Sequence, residues 1–172
     1  MEDNKEKAKK IFFDYACNHF YMEHDGVDEE YERFAISAAE EKAWRQEYIS
    51  FWVSQLSVDN LTAARQLRYA WATEALPALI EIADKGDSYA KLRYADVLWD
   101  LADGYDIIGQ RAVETAINLW QSLVQQPIEL SESHKAEFSS AGILNEAKSK
   151  LADLKQDYAK HKLAKRRQRV KP

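Results

Sequence analysis

Apolar residues recur along this chain in steps of three and four, the spacing of one face of an α-helix. No segment alternates apolar and polar residues as a half-buried strand does, so the pattern predicts an all-α fold. A first helix is expected over about 4–24, where Ala8, Ile11, Phe12, Tyr15, Ala16, His19 and Phe20 form the stripe. Gly26 is its expected end, because glycine accepts the left-handed conformation that closes a helix. The acidic DEEYERF that follows has room for one or two turns. Ser37 and Glu40 stand at capping-box spacing, so a helix opens at Ser37, with Trp44, Tyr48, Phe51, Trp52 and Leu56 as its inner face. Asp59 or Asn60 is expected to cap a helix over about 60–72. Pro77 suits the first turn of the next, which carries Leu76, Leu79, Ile80 and Ala83 and stops at Gly86.

The segment at about 88–103 departs from a one-sided stripe. Leu92, Ala95, Trp99 and Ala102 make one face, and Tyr94, Val97, Leu98 and Leu101 cover most of the rest. A helix apolar nearly all round has to be enclosed by others, so it is expected at the centre. Gly104 and Gly109 are expected to bracket a loop. A helix over about 110–125 then carries Ala112, Val113, Ala116, Ile117, Trp120, Leu123 and Val124, and ends at Pro127. Ser131 or Ser133 starts a short helix that reaches Phe138, and Gly142 is expected to mark a break or bend. The last helix carries Leu144, Ala147, Leu151, Leu154 and Tyr158, and its stripe fades beyond Leu163 into fraying or disorder.

Two of these helices share a tetrapeptide: Leu67-Arg68-Tyr69-Ala70 returns as Leu92-Arg93-Tyr94-Ala95. Recurrence of this kind predicts stacked helix pairs, in which small Ala residues admit close approach and no pair hides its apolar face alone. At ADKGDSYAKLRYADVLW the residues Ala83, Gly86, Asp87, Ala90 and Ala95 match the pattern of Sel-like tetratricopeptide-like repeats, which the chain resembles there. Ala112, Ala116 and Trp120 look like the first helix of a following repeat. The likeness covers about 75–126. It stops at LVQQP, where the next glycine turn is missing, and the pair at about 37–72 lacks that turn too. The resemblance implies scaffolding or partner binding, with no catalytic residues. The expected architecture is a single domain over 1–158, made of stacked antiparallel helix pairs, about seven or eight helices in all. Residues 159–172 form a basic helix end or a disordered tail.

Composition adds a compartment and a charge. The single cysteine, Cys17, excludes an internal disulfide and fits a reducing compartment, so a cytoplasmic protein is expected. No run is long enough to span a membrane, and the charged, aromatic start does not read as a signal peptide. The net charge is −5, unevenly spread. Residues 155–172 hold eight Lys/Arg and one acid, which leaves 16 bases and 28 acids in residues 1–154. An acidic body beside a basic tail speaks about partners rather than fold.

Candidate chemistry is sparse. His19, Glu23, His24 and Asp25 are the densest set of metal-ligand types, but a metal site needs three or four converging ligands. His19 sits in an apolar stripe, where a packed histidine is the ordinary reading, so no metal and no cofactor is expected. Cys17 reads as a buried small hydrophobe. The chain has neither a Gly-x-Ser-x-Gly elbow nor a phosphate-cradling glycine loop. Five tryptophans at helical spacing are explained by core packing, and a few can line a groove.

The leading expectation is therefore a non-enzymatic protein-binding module, and more narrowly an acidic inhibitor or immunity-type protein that masks a basic partner enzyme. Arg68 and Arg93, together with the acidic Asp28, Glu29, Glu30 and Glu32, are the candidate partner-binding residues. Each arginine is expected first to bond an acid on an adjacent helix. The alternative is that both project into a concave face and hold a partner carboxylate. Two other readings stay open. One is a nucleic-acid-associated protein using Lys165, Arg166, Arg167, Arg169 and Lys171, a run without interleaved aromatics and opposed by the acidic body. The other is a small metal-dependent enzyme centred on the first helix.

Overall fold

A computed structural model describes the backbone of residues 2–102 and 107–169, and the side chains of 4–102 and 107–154. Among the described residues there are ten α-helices and no strand, slightly more helices than the pattern predicts.

The excess arises at the start. Helix α1 (Glu2–Asp14) buries Ala8 and Phe12, then stops. Ala16 and Cys17 take left-handed conformations, φ 53° and 55°, and Asn18 caps a second helix, α2 (His19–His24). Asn18 accepts from the Phe20 N–H at 3.1 Å and donates its amide to the Tyr69 carbonyl at 2.9 Å. A short polar side chain that bonds nearby backbone competes with helix continuation, which is why the expected helix over 4–24 is two. The break turns the stripe: Met22 is buried, whereas His19 and Phe20 face outward. Gly26 closes α2 at φ 71°, as expected. Helix α3 (Asp28–Glu32) follows and stacks Tyr31 on Phe12.

Helix α4 (Ala38–Ser54) opens with the full Ser37–Glu40 capping box and buries Tyr48 and Ile49. Trp44 and Trp52 are half-buried, and Phe51, expected inside, is exposed. Helix α5 (Leu61–Tyr69) buries Ala63, Ala64 and Leu67. Asn60 precedes it without capping it, since its amide goes to the Gln55 carbonyl. A 3-10 turn (Thr73–Ala75) leads into α6 (Leu76–Ile82), with Pro77 in its first turn. Helix α7 (Ser88–Leu101), capped by Asp87, buries Ala90, Leu92, Tyr94, Ala95, Val97, Leu98 and Leu101. Helix α8 (Ile107–Gln125) carries Gly109 inside it, buried, rather than at a loop edge; Gly104 lies outside the described residues. Ser131 caps α9 (Glu132–Glu137). The chain turns at Phe138, so Gly142 falls in the first turn of α10 (Ser140–Arg169) and is not a break. The α10 backbone stays helical to Arg169, past the point where the stripe fades.

The helices pair and stack. Helices α4 and α5 pack together, as do α6 with α7 and α8 with α10. Helix α7 is central, touching α5, α6, α8 and α10, while α1, α2 and α3 gather at the α4 end. Leu67, Ala70, Leu92 and Ala95 of the repeated tetrapeptide are all buried, and α5 packs on α7. The tyrosines differ. Tyr94 is mid-helix, fully buried, and donates to the Ser57 carbonyl at 2.8 Å, whereas Tyr69 ends its helix and emerges.

Gly86 marks a close approach in this stack. A Cβ there would stand 2.5 Å from the Ala90 Cβ and 3.4 Å from the Val58 Cβ, against backbone-borne groups that cannot swing away. Gly86→Ala is expected to destabilise the fold by about 1–3 kcal/mol, read as a lower urea midpoint at unchanged slope.

Candidate partner-binding face

The repeated arginines sit on neighbouring helices and both find acids. Arg68 stands 2.5 Å from Asp100 on α7. Arg93 binds Glu146 of α10 with both guanidinium arms, at 2.8 and 2.6 Å, and reaches Asp96 at 2.9 Å. Burial works against the Arg93 charge, yet the Glu146 carboxylate holds the guanidinium above its ordinary value. Asp96 is a buried acid on the central helix α7. Burial pushes its carboxyl above the usual carboxylate range, although Lys150 lies 3.1 Å away and Arg93 is adjacent. The first expectation, that each arginine bonds an acid on an adjacent helix, is what the geometry contains.

The same arginines line one groove. A cavity of about 480 Å³ runs beside α5 and α7, walled by Arg65, Arg68, Tyr69, Tyr89, Arg93 and His134. The Arg93 guanidinium lies 5.2 Å from the Tyr89 ring centre, and Tyr89 stacks on Phe138 at 3.8 Å. Arg65 was not singled out from the sequence; it is exposed and carries no ion pair among the described residues.

One wall is held by a capping network. Asp87 accepts from the Ala90 N–H at 2.9 Å and the Ser131 N–H at 2.8 Å, and bonds His134 Nδ1 at 2.7 Å. Ser88 and Glu129 exchange two further bonds, from the Ser88 N–H and to the Ser88 hydroxyl. An Asp–His pair invites a catalytic reading, but the Ser131 hydroxyl accepts from the backbone N–H of His134 and meets Ser133, an arrangement that caps α9. The network ties the start of α7 to the segment before α9.

At its other end the groove opens onto aromatics. Arg68 and Tyr69 also line a second cavity of about 420 Å³, with Tyr21, Trp71 and Asp100. Phe20 packs against Trp71 at 5.8 Å and Tyr21 at 5.4 Å, and Tyr21 meets Tyr69 edge-on at 5.9 Å. Phe20 is 52% exposed and Trp71 55%. Trp71 holds φ 49°, a left-handed conformation that is uncommon for a bulky residue. Its place is fixed from below. Arg45 donates to the Ala70 carbonyl at 2.7 Å and the Trp71 carbonyl at 3.4 Å, and pairs with Glu74. Sequence reasoning assigned Phe20 to a buried stripe and the tryptophans to the core, with a few allowed to line a groove. Asn18, a capping residue type in mid-stripe, was the available signal.

The other candidates lie elsewhere. Glu29, Glu30 and Glu32 are exposed on α3 and Asp28 is half-buried there; none of them lines the groove with Arg68 and Arg93. The side chains of Lys165, Arg166, Arg167 and Arg169, and all of Lys171, lie outside the described residues. His19, expected to be packed inside, is exposed; its ring rests against Phe12 and Tyr31, and Nε2 lies 3.3 Å from Glu41. His24 bonds Asp25 at 2.9 Å. Among the described residues no three His, Cys, Asp or Glu side chains converge as metal ligands. Cys17 is buried, and burial pushes its thiol up to about 12, far from a reactive thiolate. Among the described residues no helix is long and apolar enough to cross a membrane.

Comparison with family models, with curated proteins and with solved structures returns no match for this chain.

The capping network has a pH signature. Burial opposes the Asp87 charge, but hydrogen bonds from Ala90, Ser131 and His134 outweigh it and hold the carboxyl at about 2. Its ordinary value is about 3.9, so the folded chain binds this proton more weakly than the unfolded one. The contribution is therefore complete above about pH 4 and is lost as pH falls towards 2. Asp87→Ala is expected to cost about 2 kcal/mol at neutral pH in urea denaturation, and to flatten the acid limb of the stability profile.

Proposed function

We propose that this chain is a non-enzymatic protein-binding module whose docking face is the aromatic cluster of Phe20, Tyr21, Tyr69 and Trp71 with the adjoining arginine groove. One observation carries the reading: Trp71 is held outward in a strained conformation by bonds from Arg45, beside an equally exposed Phe20. Backbone strain at a bulky exposed residue costs of order 1–2 kcal/mol and contributes nothing to a core. Trp, Tyr and Arg are the residue types that dominate binding hot spots, and here they adjoin one another. The Sel-like resemblance over about 75–126 implies the same class of function.

The sign of the charge points to the partner. With 16 bases against 28 acids in residues 1–154, the body attracts a basic protein and speeds its approach. An acidic inhibitor or immunity-type protein, masking a basic enzyme, is the form of the module that this balance favours. Arg68 and Arg93 do not oppose it, because both are already matched to acids of the chain itself.

Trp71→Gly separates binding from folding. Glycine adopts φ near 49° without strain, so this variant is expected to match the parent's stability within about 1 kcal/mol. In affinity capture from the native host with mass spectrometry, it is expected to lose at least about tenfold of the partner that the parent retains. Association of the captured pair should slow as salt rises. Equal retention by Trp71→Gly would remove the face, and a salt-independent association rate would remove the basic partner.

A further inference from the structure

A second groove, sharing no lining residue with the Trp71 face, runs between α1 and α4. It is a cavity of about 560 Å³ lined by Phe13, Asp14, Glu47, Tyr48, Phe51, Trp52 and Gln66. Four of these are aromatic and form a continuous row: Phe13 meets Tyr48 edge-on at 5.3 Å, Tyr48 meets Trp52 at 6.1 Å, and Trp52 meets Phe51 at 5.0 Å. Phe51 is 54% exposed, at a position where the helical stripe calls for burial. Two carboxylates, Asp14 and Glu47, stand among the rings.

A lysine beside the groove already uses two of its lining residues. The Lys9 ammonium lies 5.3 Å from the Phe13 ring centre and bonds both oxygens of Glu47, at 2.8 and 2.7 Å. Asp14 is matched on its outer side by Lys10 at 2.7 Å, where both side chains are well exposed. Aromatic faces with an adjacent carboxylate attract ammonium and guanidinium groups, because the ring quadrupole and the anion act in the same direction. A guanidinium is the better fit. Its planar fork matches the Glu47 carboxylate, and its face can lie on the rings of Phe51 and Trp52, which Lys9 leaves uncovered.

We propose that this groove docks an arginine side chain of a basic polypeptide, with Glu47 as its counter-ion and Phe51 as its stacking surface, and that the guest displaces Lys9 from Glu47. The inference goes beyond the proposed function and does not depend on the Trp71 face.

The test titrates the full chain into a fluorescently labelled peptide of alternating arginine and glycine, read by anisotropy at low salt. The same peptide with citrulline for arginine is the neutral control. The parent is expected to bind the arginine peptide and to leave the citrulline one free. Phe51→Ala, at an exposed position, is expected to keep its thermal midpoint and weaken binding about five- to tenfold. Lys9→Met, which keeps the apolar stem and removes the competing ammonium, is expected to tighten it several-fold. Binding that ignores Phe51→Ala, or that is absent from the parent, overturns the proposal and leaves the Trp71 face untouched. Weakening by Lys9→Met overturns the displacement. Loss of the Trp71 reading in the capture experiment has no effect on these titrations.

Discussion

Enclosure of α7 is the constraint on which this fold rests. Its buried side chains point in every direction around the axis, so no single neighbour can cover them. Four helices close around it, and small residues make that closure tight. Ala63 and Ala64 of α5 and Ala112 and Ala116 of α8 are buried with the alanines of α7, which lets backbones approach while Leu, Tyr and Trp fill the remaining space. Asp96 is the charged exception among the buried residues of α7. A buried carboxylate gives little net stability, and here it is paired with Arg93 of its own helix and with Lys150 of α10.

Polar groups do their work at the ends of the elements. Asp87 and Ser88 join the start of α7 to the segment at 129–134, and Asn18 and Arg45 join the break after α1 to the turn after α5. The second pair of ties has a surface consequence. Three non-glycine residues near it, Ala16, Cys17 and Trp71, are left-handed. Ala16 and Cys17 are buried, so packing repays their strain, whereas Trp71 is exposed and is not repaid in the same way. This asymmetry sets Trp71 apart from the other two.

Under the proposed function, charge and shape divide the labour. The acidic body acts over the distance of a Debye length and is indifferent to detail. The aromatic faces act at contact. The exposed Phe20 and Phe51 each depart from a helical stripe that would otherwise have buried them, and each lies among rings and charged groups.

Local signals were legible along the chain. The Ser37–Glu40 box, Gly26, Pro77 and the Ser131 cap act within a turn of backbone, and the all-round apolar pattern of α7 placed it at the centre. The break at 15–18 was not legible beyond the residue type of Asn18, because the amide of Asn18 is committed to the Tyr69 carbonyl, a partner far along the chain. Nor were the interior positions of Gly109 and Gly142, since packing and flanking caps override the cost of glycine within a helix. Arg68 and Arg93 were found by repetition, but Asp100 and Glu146 became their partners only once helices were stacked. A helical stripe states which residues share a side. Whether a neighbour arrives to cover that side depends on contacts distant in the chain, and so the exposure of Phe20, Phe51 and Trp71 belongs to the assembled fold.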